Sequence, residues 1–542
     1  MSGQRLRWHM RGMNEDMDRT RFDLLTQLYK KIPKHTRVCF IAGVITGWLT
    51  HFYMLTGKFL NWDDANNMDT YGSGDYLGRW FLKYIHPLGG KYSIPAVHGF
   101  LLIVCIAVSA CLILEILQIK SATGAVLAAA VLETFPSIVS TVTFMFMAHT
   151  SGIGILMVTL AVYLLRKYRH GWLPCMALLI CALGTYQSYI SFAITLMLLG
   201  MIADIFHGEK FPQIIRKGIV CVLVLGAGVL IYMKLSHVIY PGLDQETYGG
   251  VGNMGQIALS EMPILIGRCY KRFLEYFLWK PFAFVSGTAQ AANIITCVLA
   301  IALFLYLVIA RKMYQDIPTL LLLVLLCGFV PLAAAFIYFM APEVVYSMLM
   351  LYAYALIYVT VLALLEYCME DWHIKPVSVR WRNGLRYVAV LVTVCTIFVS
   401  SYTDYLLANR AYLRTHFATE RVQQYFNRVI AMVERTQGYE NGDRIEILGE
   451  FYYRDNPSTV EVDILDAEDL RDLDGVALEN GLLTTSVRDN FIKMFVGYDM
   501  ADLRFADKEA IMETEEYQSM AVYPHEGCVR KIGDIWVVKM CE

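Results

Sequence analysis

Long apolar runs separated by short polar segments fill the chain as far as residue 403. A helix needs roughly 20 apolar residues to cross a hydrocarbon core about 30 Å thick, and eleven runs approach or reach that length. The predicted spans lie near residues 38–57, 96–118, 122–143, 150–165, 172–184, 188–205, 218–240, 290–310, 317–340, 344–366 and 386–403. The run at 172–184 is short, which is typical of a tilted or re-entrant helix. The pattern predicts an all-α polytopic membrane bundle.

Basic residues predict the orientation of that bundle, because short loops rich in Lys and Arg stay in the cytoplasm. The N-terminal arm, residues 1–37, is basic, and its residues 22–29 suggest an amphipathic helix on the inner membrane surface. With the arm inside, other basic loops fall on the same side, namely 166–171, 204–217, 311–316 and 367–386. Eleven spans then place the C-terminus and the loop at 58–95 outside the cell membrane.

The composition changes after residue 403. The tail holds 27 Asp and Glu against 15 Lys and Arg, so its net charge is −12, and the total of −2 leaves +10 for the rest. Its alternation and turn residues predict a small extracytoplasmic α/β domain over residues 404–542. The expected elements are a strand at 444–451, helices at 486–494 and 508–520, and a hairpin at 529–540 turning at Gly533-Asp534.

Composition agrees with the membrane assignment and excludes other classes. Hydrophobic residues make up 57% of the chain, charged residues 17%, and the mean hydropathy is +0.46, far from a soluble globular protein. No nucleic-acid partner is expected, since the basic residues are spread over short loops. Cys528 and Cys541 flank the predicted hairpin, where a disulfide and two free thiols are equally compatible with the sequence.

One polar segment stands out, at residues 58–95 between the first two spans. It carries the adjacent carboxylates Asp63 and Asp64, then Asp75, then Arg79 and Trp80. An acid pair beside hydrocarbon is costly unless it has partners or a task. In a partly dry cleft two neighbouring carboxylates do not both ionise easily, so one can accept a proton near neutral pH. This loop is the leading candidate for the chemistry.

The basic and aromatic residues of the loop complement the acids. Arginine's planar fork suits phosphate oxygens, and Trp80 can sit at the membrane interface or stack on a sugar ring. Structural alternatives stay open at this point. The acids can form a solvated loop or cap a helix beginning at Ala65, and Arg79 can pair with Asp75.

Other polar residues interrupt the apolar runs towards the same side. A carboxylate near the middle of the third span is a site hypothesis by default, although a paired structural role fits nearly as well. Polar residues at the outer ends of later spans also serve as hydrogen bonds between helices. The residues concerned are Glu133, His149, Tyr186 and Gln187.

The external segment 241–289 has an apolar stretch at 257–284 that is interrupted by charges, which favours an interfacial helix over a span. Its Arg268, Lys271 and Arg272 suit a lipid phosphate or, more simply, lipid headgroups in general. No dedicated metal-ligand pattern is present, so the sequence requires no cofactor and leaves use of a divalent cation open.

With these motifs the chain resembles the bacterial membrane glucosyltransferases of the Gtr type II family, in the lipid-dependent GT-C class. The motifs that carry the resemblance are Asp63-Asp64, Gly78-Arg79-Trp80, Glu133 to Pro136, Tyr186-Gln187-Ser188 and the external α/β tail. The resemblance implies inverting transfer of a hexose, expected to be glucose, from a polyprenyl-phosphate donor to a cell-surface polysaccharide or related glycan. It implies that Asp63 or Asp64, with Asp64 preferred, is the base, and that Arg79 holds the lipid phosphate.

Three other functional classes compete with this interpretation. One, a receptor whose tail senses a ligand, leaves the 58–95 loop unexplained. A transporter or flippase would use Glu133 and Lys234 as coupling groups at depth, but the chain shows no internal halves, and its polar residues concentrate on one side. A polymerase or ligase of lipid-linked glycans would share the lipid-phosphate site but tend to rely on external Arg and His. The sequence favours the transferase.

Overall fold

The computed structural model describes residues 23–72, 74–242, 254–280, 282–370, 379–449, 465, 467–476, 479–501 and 503–541. Sequence-based expectations for the arm before residue 23 lie outside these residues. Within the arm, a helix does form at Asp23–Lys31, here named α1. The described chain is a helical bundle followed by a small domain with one sheet.

Apolar runs become helices wherever the predicted spans lie. The bundle helices are α2 (Lys34–Thr56), α5 (Pro95–Leu117), α6 (Ala122–Thr134), α7 (Pro136–Thr143), α8 (Ala148–Lys167), α9 (Trp172–Leu183), α10 (Tyr189–Phe206), α11 (Phe211–Ile239), α13 (Gly287–Ala310), α14 (Ile317–Ala334), α16 (Ala355–Glu370) and α17 (Val379–Glu434). Short helices α3 (Trp62–Asn66), α4 (Leu82–Ile85), α12 (Met262–Leu274) and α15 (Ile337–Met340) lie in the loops.

Of the described helices, nine are long and apolar enough to cross a membrane, and the bent pair α6–α7 makes ten. The sequence predicts eleven spans, and the additional one is α9. This helix has 12 residues and is only about 18 Å long, too short to cross the hydrocarbon core by itself. Nevertheless α9 connects the two ends of the bundle. It begins just after Arg166, which pairs with Asp204 at the basic end, and it ends at Gly184, whose carbonyl accepts a hydrogen bond from Phe81 in the 58–95 loop.

The break between α6 and α7 is caused by Pro136, which lacks a backbone N–H and cannot continue a helix. Phe135 takes an extended conformation, Pro136 starts α7 afresh, and the two helix axes differ by 43°. The bend brings Thr143, the last residue of α7, to the 58–95 loop, where its carbonyl accepts a hydrogen bond from Asn61.

Helix α17 runs for 56 residues, about 84 Å, and so continues through the predicted domain boundary at 403/404. Its C-terminal half supplies the core of the C-terminal domain, with Val422, Phe426 and Val429 buried against Ile447 and Val538. One continuous rod therefore joins the membrane bundle to the tail.

The C-terminal domain contains a three-stranded sheet of order β1-β3-β2, formed by β1 (Arg444–Leu448), β2 (Val529–Ile532) and β3 (Ile535–Lys539). β1 and β3 are parallel, whereas β2 and β3 form the predicted hairpin at Gly533. The helices are α18 (Ala467–Leu470), α19 (Glu479–Leu483), α20 (Thr485–Phe495), α21 (Phe505–Met512) and α22 (Glu515–Gln518). Cys528 and Cys541 are free thiols.

This domain is docked on the end of the bundle that carries the 58–95 loop. Leu470, Leu473 and Val476 are buried in the core of the membrane bundle. Arg414 of α17 forms a buried ion pair with Glu479, the Nη2–Oε2 distance being 2.6 Å. The acidic tail and the candidate catalytic loop therefore share one face of the molecule.

Candidate active site

The acid pair lies on α3, a five-residue helix that is capped by Asn61. Asn61 Oδ1 accepts a hydrogen bond from the backbone N–H of Asp64 at 2.8 Å, and its Nδ2 donates to the Thr143 carbonyl at 2.9 Å. One face of the short helix is thereby fixed to the end of α7. The aspartates do not cap a helix beginning at Ala65, the alternative that the sequence left open. The helix begins at Trp62 with Asn61 as its cap, and both aspartates belong to its first turn.

Asp64 points into the protein. Its side chain is fully buried, and its two oxygens accept hydrogen bonds from the backbone N–H groups of Phe146 at 2.9 Å and Met145 at 3.3 Å. Burial raises its pKa to about 6, although Lys58 and the two N–H groups oppose the rise. A carboxylate held in this way organises the start of the helical span 145–167.

Lys58 is a charged partner that the sequence analysis missed. Its ammonium group donates to the carbonyl and hydroxyl oxygens of Ser93, at 3.1 and 2.9 Å. Burial lowers its pKa while the Asp64 charge opposes that shift. Lys58 therefore supplies a compensating positive charge for the buried carboxylate.

Asp63, by contrast, is only half-buried. Burial raises the pKa of its carboxyl group, and the positive charge of Arg79 lowers it, so the two side chains are close enough to interact. The main-chain carbonyl of Asp63 accepts a hydrogen bond from Asn67 at 2.9 Å, which closes the short helix. Of the two acids, Asp63 is the one that an external molecule can reach.

Side chains of α11 and of the segment before α10 hold the turn that carries Arg79. Gly78 has φ of +70°, and a Cβ there would lie 2.7 Å from the Tyr232 hydroxyl oxygen. Gln187 donates from Nε2 to the Leu77 carbonyl at 2.6 Å and to the Tyr232 hydroxyl at 2.9 Å. The predicted residue Gln187 thus supports the loop.

Arg79 itself lies over Tyr186, with 4.9 Å between its guanidinium carbon and the ring centroid. This cation–π contact fixes the plane of the guanidinium group against the Tyr186 ring. Arg79 therefore lies against the Tyr186 ring and within electrostatic range of Asp63.

Trp80 and Asp75 are placed differently. Trp80 is buried with Leu183, Ile190 and Tyr232, so its ring anchors the loop to the bundle. Asp75 lies 3.6 Å from Lys83, Oδ2 to Nζ, in a partly exposed ion pair. The ion pair between Arg79 and Asp75 that the sequence left open is not formed; Arg79 faces Asp63.

His149 joins a cluster of three histidines. Its ring centroid is 4.0 Å from that of His98 and 5.3 Å from that of His86, and its Nε2 bonds the His86 carbonyl at 2.9 Å. His98 bonds the carbonyl of Met145, whose N–H binds Asp64. Among the described residues no group of three or more His, Cys, Asp or Glu is arranged to hold a metal ion.

Glu133 lies away from this cluster, in the packing between α2 and α6. It is fully buried, and a Cβ on Gly47 would lie 2.6 Å from its Oε2. Nothing in the described chain gives its two oxygens a hydrogen bond. Its carbonyl accepts one from His51 at 3.0 Å, which ties the end of α6 to α2.

The three predicted lipid-binding cations, Arg268, Lys271 and Arg272, lie on α12 and not in the acid loop. Arg268 donates to the Pro342 carbonyl at 2.8 Å. Lys271 and Arg272 pair with Glu275 at 3.7 and 3.3 Å. Arg272 also lies over the ring of Tyr346 at 4.5 Å. These contacts fix α12 against the loop at 342–346.

Comparison with known families bears on this arrangement. The family model described as Glucosyl transferase GtrII matches residues 52–365, more than half of the 542-residue chain. The chain belongs to the GtrII glucosyltransferase family. As a member, it is a membrane glucosyltransferase that takes a sugar from a donor to an acceptor. No curated protein and no solved structure matches the chain.

The GtrII match covers every candidate residue described above and leaves out the C-terminal domain. It also covers the residues that the sequence analysis did not single out, Lys58, His86, His98 and Tyr232. A lysine one residue beyond an apolar span and two further histidines near the ends of spans were visible signals. Their partners lie far along the chain, so the sequence gave no reason to group them.

Proposed function

We propose that this GtrII transferase moves a hexose, expected to be glucose, from a polyprenyl-phosphate donor to a surface polysaccharide or related glycan. The observation that carries the proposal is that a half-buried carboxylate, Asp63, lies within electrostatic range of the Arg79 guanidinium in the loop after the first membrane helix. Sugar transfer from a lipid phosphate needs two groups, an accessible carboxylate as base and a fixed guanidinium for the phosphate. A lipid donor also suits a site at the end of an apolar bundle.

In the proposed step, an acceptor hydroxyl oxygen attacks the anomeric carbon of the donor sugar and its proton passes to Asp63. The bond between the anomeric carbon and the phosphate oxygen breaks, and its electron pair leaves with the lipid phosphate. Arg79 stabilises the charge that develops there. Attack and departure on opposite faces of the ring invert the anomeric centre.

Asp63, not Asp64, is the proposed base, which reverses the preference drawn from the sequence. Asp64 is fully buried and both of its oxygens are occupied by backbone N–H groups, whereas Asp63 is half-buried beside Arg79. Asp64 is the proposed positioning residue, since it fixes α3 to the residues that open the span 145–167.

The active face is proposed to lie on the extracytoplasmic side. The ion pairs Arg166–Asp204 and Lys217–Asp204 lie at the opposite end of the bundle, and short basic loops favour the cytoplasm. The N-terminus would then be cytoplasmic and the C-terminal domain outside the cell membrane, where a surface glycan is accessible.

The test is sugar transfer from a labelled polyprenyl-phosphate glucose donor in membranes that contain Asp63→Asn, Arg79→Gln or the control Asp69→Asn. Asp69 is an exposed acid of the same loop. We expect Asp63→Asn to lower the rate by roughly 10² or more, the contribution typical of a general base, and Asp69→Asn to leave it unchanged.

Full activity of Asp63→Asn would exclude Asp63 as the base. The anomeric configuration of the product, read by NMR, tests the inverting step separately, because a retained configuration contradicts a single displacement. Active Asp63→Asn with an inactive Asp64→Asn would restore the assignment drawn from the sequence.

A further inference from the structure

A cavity lies in the bundle beside Pro136, the first residue of α7. It has a volume of about 230 Å³ and is lined by residues of α13, α16 and α17, by Pro136 and by the loop before α13. Pro136 and Thr143 mark the two ends of α7, about 10 Å apart. The hydrogen bond to the acid loop is made by Thr143, at the end of α7 away from Pro136, so the cavity is a separate site.

The cavity holds a carboxylate without a partner. Asp404 of α17 lines it, and no described residue gives its oxygens a hydrogen bond or an ion pair. An ionised acid beside hydrocarbon is strongly disfavoured unless a counter-charge or a bound group satisfies it. The charge of Asp404 acts on the hydroxyl groups of Tyr276 and Tyr358, which places all three around one space.

The walls are aromatic, with one basic group. Tyr276, Phe284 and Tyr358 line the cavity together with Arg410. The Tyr358 hydroxyl donates to Asn293 Oδ1 at 2.5 Å, so this ring is fixed. Rings beside a carboxylate form an environment suited to an ammonium group, since ring faces attract cations.

The cavity reaches the lipid-facing surface of the bundle. Leu406, one of its lining residues, is exposed. Apolar residues that are exposed on α13 and α17 continue below it, among them Val298, Ile301, Leu391 and Phe398. A hydrocarbon chain can lie on those faces while a polar headgroup occupies the cavity.

We propose that this cavity binds the headgroup of an ethanolamine phospholipid, with the ammonium group on Asp404 between Tyr276 and Tyr358 and the phosphate on Arg410. The cavity volume of about 230 Å³ gives a headgroup of this size room, and the opening at Leu406 lets its acyl chains leave towards the apolar surface. An ammonium group compensates the carboxylate charge directly, whereas an anionic headgroup without an ammonium would be repelled by it.

The test uses the full-length protein, purified and stripped of lipid by detergent exchange. Native mass spectrometry and thermal unfolding are then followed with added phosphatidylethanolamine or phosphatidylglycerol. We expect phosphatidylethanolamine to form a one-to-one adduct and raise Tm, and phosphatidylglycerol to do neither. In Asp404→Asn the affinity for phosphatidylethanolamine should fall at least tenfold.

Two variants keep the result interpretable. Glu420→Gln removes an exposed acid of the same helix and should bind the lipid as the wild type does. Tyr358→Phe keeps the ring and loses the hydroxyl, so an ammonium ligand should stay bound whereas a sugar ligand should be lost. Without lipid, Asp404→Asn should unfold at or above the wild-type temperature, because it removes an unpaired charge.

Equal binding of the two phospholipids, or unchanged binding by Asp404→Asn, would overturn the proposal. Loss of binding in Tyr358→Phe would also overturn it, in favour of a hydroxyl-rich ligand. Transfer activity is not a readout, so the fate of the proposed glycosyltransfer step does not affect the outcome.

Discussion

At the residue scale, the two neighbouring aspartates differ because they sit in different surroundings. Asp64 turns towards the backbone N–H groups of Met145 and Phe146 and loses contact with water, while Asp63 turns towards Arg79. One step along a helix rotates a side chain by about 100°. The carboxylate of Asp63 is therefore the proposed base, whereas the carboxylate of Asp64 is a buried structural group.

Asp64 should make the stability of the protein depend on pH. Burial raises its folded-state pKa to about 6 from an ordinary value of 3.8. Its contribution is therefore fully present below about pH 4 and is lost as pH rises through 6, roughly 3 kcal/mol at 1.36 kcal/mol per unit. We expect Asp64→Asn to flatten the fall in Tm between pH 4 and pH 7 in detergent.

The control for that measurement is Asp69→Asn, which alters an exposed acid of the same loop and should keep the wild-type dependence on pH. If Asp64→Asn showed the same fall in Tm as the wild type, the buried carboxyl would not be the titrating group.

At the element scale, the 58–95 loop depends on a turn that only glycine fits. Gly78 has a positive φ and lies against Tyr232 and Gln187. The hydrogen bonds of those two side chains replace the regular structure that the loop lacks. Arg79, next in sequence, takes its direction from this turn, so its proposed role depends on α11 and on the segment before α10.

Gly78→Ala should therefore reduce sugar transfer more than it reduces stability. A Cβ at Gly78 would lie 2.7 Å from the Tyr232 hydroxyl and 3.1 Å from Gln187 Nε2, so the turn must shift and carry Arg79 with it. We expect a loss of at least tenfold in transfer rate, measured in membranes.

Gly90→Ala is the matched control for that change. Gly90 also has a positive φ in the same loop, but a Cβ there would meet no atom within 4 Å. It should show only the backbone strain of about 1 kcal/mol and retain transfer. Similar losses of activity in both variants would mean that strain, and not displacement of Arg79, is the cause.

At the scale of the whole molecule, the C-terminal domain is fixed to the bundle by charge as well as by apolar contact. Glu479 accepts hydrogen bonds from Arg414 and Arg421, at 2.6 and 2.9 Å. Although burial opposes it, these partners hold the pKa of Glu479 below its ordinary value. The ion pairs therefore stabilise the folded protein at pH values above the ordinary pKa of a glutamate. This stabilisation is lost as the pH falls through the lowered pKa of Glu479.

Glu479→Gln should loosen the domain. Removing one partner leaves the buried Arg414 without its counter-charge, which typically destabilises by about 3 kcal/mol or more. We expect faster proteolytic release of the tail under native conditions, followed by gel electrophoresis, while the bundle stays intact.

Glu440→Gln, at an exposed position near the end of α17, is the control for this experiment and should leave the cleavage rate unchanged. An unaltered rate in Glu479→Gln would show that the apolar contacts of Leu470, Leu473 and Val476 hold the domain without help from the ion pair.

Local patterns in the sequence determined the elements of this protein, and tertiary contacts decided its sites. Apolar runs predict the bundle helices, and Gly533-Asp534 predicts the hairpin that forms between β2 and β3, because both depend on residues close together in the chain. Three features of the sites depend on residues many positions apart in the chain. Asp64 is buried against Met145 and Phe146 while Asp63 stays accessible. Gln187 supports the turn at Gly78, and Arg414 pairs with Glu479. Such pairings follow from how helices pack, which no local pattern records.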